Sequence, residues 1–187
     1  MPAPLMTDTG QFRRAALPPA ELAAVAAAAA GRDVPRATAR AVPVDYDWAS
    51  PATAGLWRAD VRAEADGAVL DLAFFVKLLR HPRLWPELGQ IPDGPARQDF
   101  VGFFPWQFEL DMHECGIGEI LPAGMRTPVL YRARPVDADH VALWWEYVDQ
   151  RPGPWQLADY RRAARMLGAL AARRRAGADA NRRLPEL

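Results

Sequence analysis

The sequence has one cysteine, three histidines and no long apolar run, and each shortage excludes a class of protein. The lone Cys115 excludes an intramolecular disulfide framework and a cysteine-based metal site. No apolar run approaches the roughly 20 residues that cross a bilayer, so no membrane partner is predicted. A formal net charge of zero argues against a general nucleic-acid-binding protein. The start, Met1-Pro2-Ala3-Pro4, lacks a basic segment followed by an apolar core, so we predict a cytoplasmic location.

Motifs that identify an enzyme by themselves are also missing. The chain contains no Walker loop and no G-x-S-x-G sequence. His113 stands near Asp111 and Glu114, but there is no second histidine at helical spacing. The sequence therefore predicts no metal site.

Half of the residues are hydrophobic, which is enough for a core, and their spacing predicts the elements. Residues 1–17 are expected to form a loose arm. Pro18-Pro19 before residue 20 and Gly31 after residue 30 indicate the start and the end of a first helix. Asp137, Asp139 and His140 are expected in a solvated loop. The predicted elements are a helix over 20–30, strands over 42–46, 56–63 and 69–79 with a tight turn at 64–67, a loop over 80–96, a helical segment over 97–115 kinked or restarted at Pro105, strands over 128–133 and 141–148, and a helix over 155–176.

The last predicted helix carries an apolar stripe at helical spacing on an otherwise arginine-rich surface. Cations near a helix carboxyl end are favourable and explain the arginines. The stripe consists of Leu157, Tyr160, Ala164, Leu167 and Ala171, and Leu170 is counted with it.

Lys77 near the end of the third predicted strand is the most informative residue. A charged amine within such an apolar strand costs free energy unless it is paired or faces a cleft. A strand-end lysine reaching into solvent is one explanation. The other is a lysine that holds phosphate groups, as on the third strand of kinases.

The order of elements favours the second explanation. The elements follow one another in this order: a strand, a small-residue loop, a strand, a tight turn, a strand with lysine, a helix with glutamate, two strands, a break and a helix. This order resembles the amino-terminal lobe of the aminoglycoside-phosphotransferase-like (choline-kinase-like) family over roughly residues 18–175. The matching segments are Phe75-Val76-Lys77-Leu78-Leu79, Pro105-Trp106-Gln107-Phe108-Glu109, Leu121-Pro122-Ala123-Gly124 leading to Pro128-Val129-Leu130-Tyr131, Leu143-Trp144-Trp145-Glu146-Tyr147-Val148, and Tyr160-Arg161-Arg162-Ala163-Ala164-Arg165-Met166-Leu167-Gly168.

The resemblance implies an α+β fold and a three-part organisation. The fold would be a protein-kinase-like small lobe, a five-stranded antiparallel sheet with a packed helix, flanked by amino- and carboxy-terminal helices. Residues 1–38 would form an arm and a helix, residues 39–150 the small lobe, and residues 151–187 the start of a truncated large lobe.

The resemblance also implies site residues. Lys77 would contact the α- and β-phosphates of ATP or GTP, and Glu109 would pair with Lys77, with Glu114 as the second choice. The Glu146 carbonyl and the Val148 amide would bind the base, and Trp145 would guard the back of its pocket.

The small-residue segment of residues 50–55 would form a loop over the phosphates. Its implied contacts are Ser50, Thr53 and Gly55. It lacks a full G-x-G-x-x-G, so an ordinary surface turn is the alternative.

Two departures from the family limit what the chain is expected to do. Phe75 stands two residues before the lysine, where protein kinases have a small alanine, so it either narrows the base pocket or marks an offset strand. The three histidines precede Pro82, Glu114 and Val141, so none begins a His-Gly-Asp-type catalytic loop. Nothing in the sequence supplies the general base or the Mg²⁺ ligands.

The chain is therefore predicted to be the nucleotide-binding half of a small-molecule kinase that is inactive by itself. Mg²⁺ would bind only if a large lobe completed the site. A large-lobe polypeptide or self-association through the carboxy-terminal helix is the predicted partner. The alternative is a stand-alone, non-catalytic binding or regulatory module.

Overall fold

The computed structural model describes residues 9–46, 50–149 and 153–176. The chain divides into two compact units. The first comprises residues 1–106 and 129–148, and the second comprises residues 107–128 and 149–187.

The first unit is built on a five-stranded antiparallel sheet, which confirms the predicted sheet and the α+β class. The spatial order is β1-β2-β3-β5-β4, so the last strand of the chain pairs between β3 and β4. The strands are β1 Arg36–Pro43, β2 Thr53–Ala65, β3 Ala68–Arg80, β4 Leu130–Asp137 and β5 His140–Glu146.

A two-residue turn joins β2 to β3, as the sequence predicts. Ala65 pairs with Ala68, and Asp66 and Gly67 both have positive φ angles, 51° and 75°. Two successive left-handed residues form the turn that matches the twist of a hairpin, and aspartate and glycine adopt it readily. The strand predicted over residues 42–46 is wrong in its bounds, because β1 ends at Pro43.

Two amino-terminal helices cover one face of the sheet. They are α1, Thr9–Ala15, and α2, Pro19–Ala30. Gly31 ends α2 in the left-handed conformation, and its N–H donates to the Ala27 carbonyl. Because α1 is helical and Ala15 is fully buried, the predicted loose arm is wrong for residues 9–17.

The core of the first unit lies between these helices and the sheet. Large buried side chains of this core on the sheet include Trp57, Phe74, Val76, Leu78 and Trp144. The Trp144 indole donates from Nε1 to the Ala15 carbonyl at 2.9 Å, so the buried tryptophan has a hydrogen-bond partner.

The segment between β3 and β4 is mostly short helices. Single turns of 3-10 helix, Pro82–Leu84 and Leu88–Gln90, occupy the predicted loop. The predicted helical segment is two helices, α3 Pro95–Phe103 and α4 Phe108–Glu114, because Pro105 prevents a continuous helix. Helix α3 lies in the first unit and α4 in the second.

The second unit contains α4, a 3-10 turn at Ile117–Ile120 and α5, Leu157–Ala176. Arg173 of α5 donates to the Leu121 carbonyl at 2.5 Å. The apolar stripe predicted on this helix is exposed at Leu157, Tyr160 and Leu167, whereas Leu170 is half-buried. Within the described ranges, no helix has the length and apolar character that crossing a membrane requires.

Candidate functional site

Lys77 lies in the middle strand of the sheet, on the face opposite the amino-terminal helices. Its neighbours Val76 and Leu78 belong to the helix-covered core, so strand alternation directs Lys77 to the other face. It pairs with Leu56 on β2 and Leu143 on β5. We call this surface the lysine face and define it by Leu56, Arg58, Phe75, Lys77, Leu143 and Trp145.

The two cross-strand neighbours of Lys77 are apolar. Leu143 is fully buried, Leu56 is 8% exposed, and Lys77 itself is half-buried. An ammonium group beside two buried leucines is stable only when an anionic or polar group compensates its lost hydration.

Lys77 is also the only lysine in the sequence, in which every other basic residue except histidine is arginine. Lysine provides a compact point charge, whereas arginine provides a broad planar fork. The composition therefore marks position 77 as one where an amine is used in place of a guanidinium. This signal lies in the composition of the chain and is independent of the order of its elements.

Glu109 and Glu114 both lie on α4. Glu109 is exposed in the first turn, and Glu114 is exposed at the last residue. Lys77 belongs to the first unit and both glutamates to the second. The pairing of Lys77 with Glu109 stays a prediction.

The two predicted hinge residues lie at the end of β5. Glu146 is the last residue of the strand, and its N–H donates to the Val129 carbonyl at 2.7 Å. The Glu146 carboxylate accepts from the Val129 N–H at 3.2 Å. Val148 follows the strand and is 50% exposed.

The segment predicted as a phosphate-covering loop is only partly a loop. Ser50 is exposed before the strand, whereas Thr53 and Gly55 belong to β2, and Thr53 is 1% exposed. Thr53 pairs with Leu79 and Gly55 with Leu78, so a β-bulge at residue 54 interrupts the ladder. The loop prediction is therefore wrong for residues 53–55.

Two hydrogen bonds from Arg80 hold the remaining turn of residues 50–52. The Arg80 N–H donates to the Ala52 carbonyl at 2.8 Å, and its Nε donates to the Pro51 carbonyl at 2.9 Å. Burial lowers the pKa of Arg80 from its ordinary value, and nearby Glu87 opposes this shift. The turn is thus tied to the end of β3.

Gly55 has a packing role. A Cβ atom at this position would lie 2.1 Å from the Trp57 ring. Because Trp57 is part of the buried core, glycine is required here for packing, whether or not a ligand binds nearby.

The lysine face next to Lys77 is aromatic. Phe75 pairs with Arg58 on one side and with Trp145 on the other, and both rings are half-buried. The guanidinium carbon of Arg58 lies 4.8 Å from the centre of the Tyr147 ring. Arg58 and Tyr147 are 89 residues apart and only the sheet brings them together, so no local sequence pattern indicates this contact.

A polar cluster on the other side of the first unit was also missed. His140 is 6% exposed, and its Nδ1 lies 2.9 Å from Asp137 Oδ1. Arg14 donates to Asp137 Oδ2 at 2.5 Å, and the Asp139 N–H donates to Oδ1 at 2.9 Å. The hydrogen bonds from His140 and then from the Asp139 amide hold the pKa of Asp137 well below its usual range. Asp137 is the last residue of β4 and His140 is the first residue of β5, so the predicted loop is wrong for both, whereas Asp137 is exposed as predicted.

No group of three or more His, Cys, Asp or Glu residues among the described residues could hold a metal ion. A shallow depression of about 620 Å³ lies over α3, and it includes none of the predicted site residues. It is lined by Asp93, Gly94, Arg97, Gln98, Val101 and Gly102.

Comparisons with known proteins returned no relative. No family model matches the chain, and neither the curated proteins nor the solved structures contain a match. The candidate site therefore rests on the residues and geometry described above.

Proposed function

We propose that the chain is the nucleotide-binding small lobe of an aminoglycoside-phosphotransferase-like small-molecule kinase. The observation that carries the proposal is the only lysine of the sequence, centred on an antiparallel sheet between Leu56 and Leu143. Helical segments follow the lysine strand, and two further strands end at Glu146. This is the order in which kinases place the lysine, the glutamate helix and the hinge.

In this proposal Lys77 binds the α- and β-phosphates of ATP or GTP, and Glu109 orients Lys77. The Glu146 carbonyl and the Val148 amide bind the edge of the base, and the turn at Ser50 lies near the phosphates. Thr53 is buried and Gly55 is occupied in packing, so they contribute through the backbone position of β2. Mg²⁺ would join only with a large lobe.

The proposed site lacks the parts that perform phosphoryl transfer. Transfer needs a base-positioning residue and metal ions that bridge the β- and γ-phosphates. This sequence has no His-Gly-Asp-type loop to supply them. We therefore expect no phosphoryl transfer by this chain alone and dissociation constants for ATP in the high-micromolar to millimolar range, because each ~1.4 kcal/mol of missing contacts weakens binding tenfold.

The single lysine permits a direct test. An amine-reactive acetylating ester modifies two primary amines in this sequence, the α-amine and Lys77. We expect millimolar ATP to slow acetylation of Lys77 while the α-amine, as internal control, reacts at an unchanged rate. Mass spectrometry of the two peptides measures both rates. Equal rates with and without ATP would sink the proposal.

A mutant cycle tests the pairing partner. Lys77→Ala and Glu109→Gln should each weaken ATP binding, and the double variant should be little worse than Lys77→Ala, because the two side chains act together. Glu114→Gln is the matched control on the same helix. A stronger effect of Glu114→Gln than of Glu109→Gln would exchange their roles.

One observation favours the second candidate function, a non-catalytic binding or regulatory module. Leu157, Tyr160 and Leu167 expose about three fifths of their surface along one helix. Apolar patches of this kind mark binding surfaces on soluble proteins. A chain that binds no nucleotide but binds a protein through this helix would be such a module.

A further inference from the structure

Arg58 occupies a position on the lysine face that the proposed function does not yet use. It pairs with Phe75, which pairs with Trp145, and this row is adjacent to the row of Leu56, Lys77 and Leu143. Trp145 immediately precedes Glu146. If the backbone of residues 146–148 binds the edge of a base, as proposed above, the base lies against this row.

Two contacts hold the Arg58 side chain. Its Nε donates to Asp60 Oδ1 at 2.7 Å, and its guanidinium carbon lies 4.8 Å from the Tyr147 ring centre. The hydrogen bond and the charge of Asp60, with a smaller contribution from Tyr147, raise the pKa of Arg58. The side chain remains 46% exposed, so a ligand can reach it.

Another arginine on the same strand lacks the aromatic contact. Arg62 lies four residues further along β2 and pairs with Asp71 at 3.7 Å in an exposed ion pair. Such pairs are common on exposed sheet faces and contribute little. The Tyr147 ring is what distinguishes Arg58, because it holds the guanidinium beside the segment that follows β5.

We propose that Arg58, held by Tyr147, is a base-contacting residue that packs its guanidinium plane against the planar aromatic base of a nucleotide. Arginine planes stack well on aromatic systems, and Phe75 and Trp145 supply an apolar floor beside it. Ala73, which lies two residues from Phe75 and pairs with Asp60, adds little bulk there. The inference rests on the proposed function and assigns Arg58 to the base, while Lys77 serves the phosphates.

Three probes separate the two roles in titrations followed by NMR of the full chain. Adenosine carries only the base and sugar, inorganic tripolyphosphate carries only the phosphates, and ATP carries both. We expect Arg58→Ala to weaken adenosine and ATP binding about fivefold and to leave tripolyphosphate binding unchanged. Lys77→Ala should do the reverse, weakening tripolyphosphate and ATP but not adenosine.

The matched control is Arg62→Ala, which removes the same charge from the same strand and face. It should change adenosine binding less than twofold. Arg58→Lys keeps the positive charge but removes the planar guanidinium group. It should therefore weaken adenosine binding nearly as much as Arg58→Ala. Tyr147→Ala should act like Arg58→Ala. Melting curves of each variant verify that the fold is retained.

The outcomes separate this inference from the proposed function. If the wild-type chain binds neither ATP nor tripolyphosphate, both fail. If ATP binding depends on Lys77 but Arg58→Ala matches Arg62→Ala, only the role of Arg58 is overturned. An equal loss of tripolyphosphate and adenosine affinity in Arg58→Ala also overturns it, since Arg58 would then act through its charge.

Discussion

Single residues in this protein have structural roles that their sequence neighbours do not reveal. Gly55 reads as part of a flexible loop, but the Trp57 ring occupies the space where a side chain would stand. Asp137 reads as a surface loop residue, but it accepts hydrogen bonds from His140, Arg14 and the Asp139 amide. Both roles depend on groups that the fold brings close.

Replacing Gly55 by alanine tests the packing role. The added Cβ would lie 2.1 Å from Trp57, and this buried ring must move. We expect Gly55→Ala to lower the free energy of unfolding by about 1–3 kcal/mol, the usual effect of overpacking a core. Urea unfolding measures it. Gly102→Ala, which meets no atom within 4 Å, is the control and should lose nothing. Equal stability of the two variants would contradict this account.

The lowered pKa of Asp137 leads us to expect that the free energy of unfolding falls in acid. The pKa of Asp137 is lower in the folded chain than in the unfolded chain, chiefly because of the hydrogen bond from His140. The stabilisation that the ionised carboxylate provides is therefore complete above its unfolded pKa of about 4 and is lost progressively as pH falls below that value. We expect Asp137→Asn to be less stable than wild type at pH 5 and the difference to shrink at pH 3. Urea unfolding at both pH values measures it, with Asp71→Asn as a surface control. A difference independent of pH would refute the prediction.

At the scale of elements, helix α1 shows how tertiary contacts stabilise a short segment. Seven residues form too short a helix to persist in isolation. Phe12 contacts the rings of Trp57 and Trp144 at centroid distances of 5.7 and 6.3 Å. The arm is therefore part of the core of the first unit.

We expect Phe12→Ala to reduce the free energy of unfolding by about 2 kcal/mol. The loss should be less than the ~3–5 kcal/mol typical of a fully buried phenylalanine, because Phe12 is half-buried. Denaturant unfolding monitored by tryptophan fluorescence reports the change. Arg13→Ala, at the exposed neighbouring position, should have little effect. If both variants unfold like wild type, α1 is not part of the core.

At the scale of the whole molecule, the exposed apolar stripe on α5 favours association of the chain with another protein surface. Leu157, Tyr160 and Leu167 lie on one side of the helix, and Ala169 lies on the arginine-rich side. Burying ~300 Å² of apolar surface yields roughly 7 kcal/mol before association costs. We expect the purified chain to self-associate at high concentration when no partner is present.

Analytical ultracentrifugation of wild type and two variants checks this expectation. Leu167→Asp should shift the population toward monomer, whereas Ala169→Asp should leave association unchanged. A wild-type chain that stays monomeric at high concentration would contradict the prediction. If Leu167→Asp unfolds the chain, the stripe packs against another part of the same chain and not against a second copy.

Local patterns in the sequence determined the elements whose stability is local. Asp66-Gly67 between alternating runs specifies the β2–β3 hairpin, and Pro19 with Gly31 bounds α2. Those runs also place Lys77 on a strand. Three-dimensional packing decided the rest. Helix α1 forms because Trp57 and Trp144 meet Phe12, β5 pairs between β3 and β4, and Arg58 meets Tyr147 across 89 positions of sequence. Hydrogen-bond geometry and ring packing depend on distances in space, and residue periodicity does not encode these distances.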